Sequence, residues 1–122
     1  MKTIIAGSRK ITDYDLLKSV ILESMFEITE IVSGGSHGVD SLGERYASDH
    51  NIPLKIFPAS WNSFGNAAGP IRNKEMAEYS DALIAILEED SKGTLDMIKI
   101  AKKQGLKVYI KYMGDSHALE NF

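Results

Sequence analysis

The run Ala82-Leu83-Ile84-Ala85-Ile86-Leu87 constrains this chain more than any other feature of its sequence. An apolar segment of strand length with no polar alternation has no face to give to water, so both of its faces must be covered. Such a strand belongs near the centre of a parallel sheet with helices on each side. The remainder of the chain agrees, because shorter β-type runs alternate with helix-length periodic segments in the pattern of βαβ units. No repeat, low-complexity tract or linker interrupts it.

Element by element, Lys2 to Ala6 reads as the first strand and Asp13 to Phe26 as the first helix. Thr12 and Asp13 are cap candidates there, and Leu17, Val20, Ile21 and Ser24 repeat at helical spacing. Glu30 to Ser33 is the second strand, and Val39, Leu42, Tyr46, Ala47 and His50 mark one face of the second helix. Pro53 to Phe57 is the third strand, closed by Pro58. Ala59 to Ala68 is expected to be a loop, and its Trp61 and Phe64 make it a candidate lid. A third helix is predicted from near Gly69-Pro70 to about Tyr79, with proline suited to a first turn. After the fourth strand, Ala82 to Leu87, comes an acidic loop, Glu88 to Lys92, and then a fourth helix from about Gly93 to Lys103. Gly105 is its C-terminal stop, and Leu106 to Ile110 is the fifth strand.

Right-handed crossovers arrange five such strands most simply in the order 3-2-1-4-5, a doubly wound α/β sheet with helices on both faces. The chain then reverses direction between strands one and four, and a crevice opens at their carboxyl ends. One domain over residues 1–112 is expected, with 113–122 as an unassigned tail.

A formal charge of −3 and a pI near 5.6 give no long-range attraction to polyanions. The balance favours a small ligand or a protein partner over nucleic acid. Without cysteine there is neither a disulfide framework nor a thiolate metal site, and His37, His50 and His117 lack ligand-like spacing. No metal and no separate cofactor are expected. The apolar run at the N-terminus is too short for a signal segment and none approaches a membrane span, so a cytoplasmic protein away from membranes is expected.

The residues able to carry chemistry lie in loops after strands. Gly7-Ser8-Arg9 offers a close backbone turn, a hydroxyl and a guanidinium fork suited to phosphate or carboxylate. Ser33-Gly34-Gly35-Ser36-His37-Gly38, followed by Val39 and Asp40, joins a strand to a helix; small residues there can bring backbone N–H groups and a helix N-terminus up to an anion, or simply form a tight turn. Asp40 either binds a ribose hydroxyl or complements the helix dipole, and His37 reads as exposed. Arg72, Asn73 and Glu75 occupy the first turns of the third helix, as crevice groups or as a solvated face. Ser91, Gly93 and Thr94 form a second anion site or a helix cap, and Asp96 has the same double reading. Trp61 and Phe64 could stack on a base or pack at the sheet edge. Lys99, Lys102, Lys103, Lys107 and Lys111 read as a solvated face.

Four segments in one frame carry a resemblance: Ile5-Ala6-Gly7-Ser8-Arg9, Val32 to Asp40, Gly69-Pro70-Ile71-Arg72-Asn73-Lys74-Glu75-Met76, and Ser91-Lys92-Gly93-Thr94. Together they resemble the YspA/YpsA-like branch of the SLOG superfamily, over about residues 3 to 112. The resemblance implies a Rossmann-like fold and a site for a nucleotide-derived molecule, in a superfamily that includes LOG phosphoribohydrolases, the DNA-processing protein DprA and nucleotide-sensing domains. It also implies a homo-oligomer, a dimer or a tetramer. The hydrolytic LOG branch carries an arginine, matched by Arg72, and a Pro-Gly-Gly-x-Gly-Thr-x-x-Glu motif. Gly93-Thr94 matches its Gly-Thr pair, whereas Glu89-Asp90-Ser91 replaces the Pro-Gly-Gly region and Met97 stands at the glutamate position. The resemblance therefore implies a sensor or a sequestering sponge for an ADP-ribose-type or cyclic nucleotide signal. The alternative is cleavage of a nucleoside monophosphate, with Arg72 orienting it and Glu75, Asp96 or Asp40 supplying the carboxylate.

Overall fold

The structure, a computed structural model, describes residues 1–88 and 91–113. Strands β1 (Lys2–Gly7), β2 (Glu30–Ser33), β3 (Leu54–Ile56), β4 (Ala82–Leu87) and β5 (Lys107–Tyr112) form one sheet in the order β3-β2-β1-β4-β5. Every pairing is parallel. Helices α1 (Tyr14–Ser24), α2 (Val39–Asp49), α3 (Trp61–Phe64), α4 (Ala68–Tyr79) and α5 (Lys92–Lys103) connect them.

The apolar run predicted to be central is β4, buried at all of its positions and flanked by β1 and β5. Alternation along the strands splits the core into two layers. Leu83, Ala85 and Leu87 of β4 join Ile4, Ala6 and Val32 under α4 and α5, through Met76, Ala77, Met97, Ile98 and Ala101. Ile84 and Ile86 join Ile5 and Ile31 under α1 and α2, through Leu17, Val20, Ile21, Val39, Leu42 and Ala47. Helix periodicity supplies the matching stripes: Leu17, Val20 and Ile21 are the buried positions of α1, as their spacing predicts.

The ends of elements differ from the sequence reading by one or two residues. Helix α1 begins after Asp13, whose carboxylate accepts the Leu16 N–H at 3.1 Å, so Asp13 and not Thr12 is the cap. The helix ends at Ser24 rather than Phe26, because Met25 turns into the left-handed region at φ 60°. On α2, Tyr46 is half-buried and His50 is exposed just past the end, stacked on the Tyr46 ring, so the predicted face is narrower than its periodicity implied. Strand β5 lies one to two residues later than predicted, as Gly105 at φ +82° delays the chain's return to the sheet.

The segment 59–68 requires a larger correction. It is not an open loop: Trp61–Phe64 forms one helical turn, Gly65–Ala67 a 3₁₀ turn, and α4 starts at Ala68. A single turn is too short to show periodicity, and packing against α4 rather than propensity holds it. Trp61 and Phe64 remain exposed. Of the acidic loop, Glu89 and Asp90 lie outside the described residues, as do His117 and the rest of 114–122.

Candidate functional site

A crevice of about 570 Å³ opens at the carboxyl ends of β1 and β4. It lies at the topological switch point, where the crossovers leave β1 and β4 in opposite directions. The β1 exit contributes Gly7, Ser8, Arg9 and Lys10; α4 contributes Gly69, Pro70, Arg72, Asn73 and Met76; and the start of α5 contributes Ser91 to Thr94, Asp96 and Met97. Ser36, Asp40 and Trp61 complete the wall. Cationic Arg9, Lys10, Arg72 and Lys92 thus share one cavity with two carboxylates, an indole and two methionines.

Of the sequence-predicted residues, Gly7, Ser8, Arg9, Asp40, Arg72, Asn73, Ser91, Gly93, Thr94 and Asp96 are brought together. Glu75 is not: it is exposed on α4 and outside the cavity lining. Ser33, Gly34, Gly38 and Val39 are buried and outside the cavity lining, and Gly35 is exposed and outside it as well. Their small size serves packing. A Cβ on Gly34 would run into the Arg72 guanidinium, and one on Gly38 into the Ser8 carbonyl and Arg9 backbone. A Cβ on Gly7 would strike the Ile86 carbonyl and come within 2.7 Å of Val39. These glycines let the β1 exit, the start of α2 and Arg72 interlock.

The anion that sits against the glycine loop is the protein's own. Asp40, 5% exposed, accepts the Ser36 N–H at 3.3 Å and a backbone N–H from Gly7. Burial pushes its carboxyl up to about 6, against those hydrogen bonds and the nearby Arg72 charge, with Glu44 adding to the rise. The hydroxyl of Ser33 donates to Glu44 at 2.7 Å and accepts the Gly35 N–H at 3.0 Å, fixing the loop from behind.

Arg72 is a clamp as well as a wall residue. Its Nη1 donates to the Gly34 carbonyl at 2.6 Å and to that of Phe57 at 3.5 Å, while Nε donates to the Asn73 Oδ1 at 3.1 Å. Burial lowers its pKa from the ordinary guanidinium value and Asp40 opposes that shift. Asn73, 4% exposed, passes the connection on: its Nδ2 donates to the Gly93 carbonyl at 3.3 Å and to Asp96 Oδ2 at 2.9 Å.

The start of α5 carries no side-chain cap. Ser91 accepts the Glu88 N–H at 3.4 Å instead of capping, which settles its double reading on the non-capping side. Thr94 is 7% exposed, lines the cavity, and has no hydrogen-bond partner for its hydroxyl among the described residues. Met97, at 1% exposure, is both floor of the cavity and part of the core under α5, so the glutamate position is filled by apolar packing. Asp96, one residue earlier, nevertheless lines the same cavity.

Three features were not singled out from sequence. Lys10 and Lys92 adjoin motif residues and could have been drawn in by adjacency. The Asn73–Asp96 pair joins two helices across 23 residues and leaves no local signal.

Comparison with known proteins agrees with this geometry. DNA processing protein A (DprA) from Streptococcus pneumoniae superposes with a TM-score of 0.72 at 18% identity over 89% of this chain. This chain spans about half of that protein, 49%, and the likeness shows the fold. Gene 61 protein of Mycobacterium phage D29 is 29% identical over 117 residues, 88% of this chain and 93% of that protein. A family model, YAcAr, matches residues 1–64, which hold β1, the glycine loop, α2 and Trp61. The chain therefore belongs to the YspA, cpYpsA-related SLOG family.

Proposed function

We propose that this protein binds a nucleotide-derived small molecule in the switch-point crevice, as a sensor or a sequestering sponge for an ADP-ribose-type or cyclic nucleotide signal. The observation that carries the reading is the uncapped start of α5, with Thr94, a buried residue whose hydroxyl has no partner among the described residues, lining a cavity that Arg9, Lys10 and Lys92 also line. A helix N-terminus with free N–H groups and nearby cations suits a phosphate. Asp40 already holds the glycine loop, so the phosphate belongs at α5 and the loop acts as its scaffold. Trp61, which also lines the crevice, offers a ring face for a base.

One observation favours the second reading, cleavage of a nucleoside monophosphate: Asp96 supplies a carboxylate to the cavity where Met97 cannot. Incubation with nucleotides followed by denaturation and mass spectrometry separates the two. A binder returns the nucleotide intact, and a glycosidase releases free base.

Ligand-dependent stabilisation tests the site itself. A nucleotide at about a hundred times its Kd adds about 2.7 kcal/mol to folding stability. Thr94→Val and Lys92→Ala should each reduce that gain while leaving the unliganded melting temperature nearly unchanged. An undiminished gain in both variants would sink the placement at α5.

A further inference from the structure

We propose that the outer edge of β5 is the surface through which two copies of this chain pair, strand against antiparallel strand, to make one continuous sheet. The sheet has two edges, β3 and β5. Strand β3 is three residues long and lies between Pro53 and Pro58, the short, proline-flanked kind of edge that resists pairing. Strand β5 runs six residues, Lys107–Tyr112, and is rich in the β-branched and aromatic types that suit a sheet. The N–H of Lys107 donates to the Asp81 carbonyl at 3.2 Å and that of Met113 to the Leu87 carbonyl at 2.8 Å, so the odd-numbered positions bond towards β4. The period of two then turns the N–H and C=O of Val108 and Ile110 away from the sheet, where no strand meets them among the described residues.

Lysines on an edge commonly forbid pairing; on β5 they choose its register. A ladder needs outward positions opposite outward positions, which leaves two antiparallel registers that overlap most of the strand. Centred on Tyr109, Lys107 falls opposite the partner's Lys111, and like charges directly opposite disfavour that register. Centred on Ile110, no lysine meets a lysine. Ile110 then faces the partner's Ile110, and Val108 the partner's Tyr112, which extends the half-buried apolar side chains packed on the core layer beneath α4 and α5. On the other face, Tyr109 comes against the partner's Lys111. Glu23 of α1 already accepts the Tyr109 hydroxyl and the Lys111 ammonium, each at 3.4 Å, so pairing gathers both glutamates and both lysines into one alternating cluster. Charge and apolar stripe are thus each self-complementary, as a twofold contact requires. Neither β5 nor Glu23 lines the crevice, so the contact leaves it open.

Sedimentation equilibrium of the full chain should give a dimer or an even multiple of one. Ile110→Pro removes both hydrogen bonds of the central pair, since each is donated by an Ile110 N–H, and takes no bond from β4. It should weaken association about tenfold or more while the far-ultraviolet circular dichroism stays native. A monomeric wild type, or undiminished association of a folded Ile110→Pro, overturns the inference. A second measurement decides if that variant fails to fold. The chain has no cysteine, and the Ile110-centred register brings Tyr109 and the partner's Lys111 to a Cα separation of about 4.5 Å, within reach of a disulfide. Tyr109→Cys mixed with Lys111→Cys should therefore cross-link on oxidation, and neither variant should do so alone. No cross-link in the mixture, or an equal one from Tyr109→Cys alone, overturns the pairing.

Discussion

Asp40 is where the sequence and the fold pull hardest against each other. Its carboxyl is pushed up to about 6 by burial, from an ordinary value of 3.8. A raised acid pKa means that the folded state binds the proton more tightly than the unfolded chain, so stability is greatest below about pH 4 for this group and is lost as pH rises towards 6. The shift corresponds to about 2–3 kcal/mol. Asp40→Asn removes the titration and retains an acceptor for Ser36. In urea melts, the variant's stability relative to the wild type should therefore improve by about that amount between pH 4 and pH 7, and parallel profiles would refute it. The glycines divide at the same scale. Gly7→Ala drives a Cβ into the Ile86 carbonyl, which belongs to a central strand and cannot yield, so a loss of more than about 2 kcal/mol is expected. Gly93→Ala meets open space in the first turn of a helix and should be neutral or stabilising by up to about 1 kcal/mol. Chemical denaturation of the pair distinguishes packing glycines from incidental ones. From sequence both read as glycines of the ligand site, one at a strand exit and one at a helix start, because what a Cβ would meet depends on distant parts of the chain.

At the scale of elements, local chemistry is sufficient wherever an end is signalled by a side chain. Asp13 caps α1, and Asp13→Ala should cost about 1 kcal/mol in thermal or chemical unfolding, whereas Thr12→Ala should cost little. The five strands and the four longer helices were legible because burial on both faces leaves unbroken apolar runs such as Ala82–Leu87, and burial on one face writes a 3.6-residue period into helices such as Tyr14–Ser24. The turn Trp61–Phe64 was not legible. Its residues are all exposed, so no buried stripe marks it, and its neighbour is Gly69 of α4, where even an added Cβ would stand in ordinary contact with the Trp61 ring. The segment expected to be a loop thus contains a short helical turn whose Trp61 lines the crevice.

For the whole molecule, β4 is the seam between two core layers: Leu83 packs under α4 and α5, Ile84 under α1 and α2. Leu83→Ala and Ile84→Ala should each destabilise by about 3 kcal/mol. Because one strand serves both layers, far-ultraviolet circular dichroism and Trp61 fluorescence should lose their native signals at the same denaturant concentration in either variant. Separate transitions would show that the layers unfold independently. A homo-oligomer, implied by the family resemblance, remains a proposal at this scale, and sedimentation equilibrium of the full chain tests it.

The sequence by itself determined the parallel order β3-β2-β1-β4-β5, since strand length, periodicity and crossover handedness are local or nearly universal constraints. It also determined that Gly7 to Arg9, Arg72 and Gly93-Thr94 would meet, because the carboxyl ends of neighbouring parallel strands lie together. Only the tertiary structure decided what each residue does there. It put Glu75 outside, set Asp40 into the glycine loop, and used Gly34 and Gly38 to admit side chain and backbone. It also tied Asn73 to Asp96 across two helices. Such roles follow from which atoms approach within a few ångströms across distant parts of the chain, and no periodicity or motif encodes that distance.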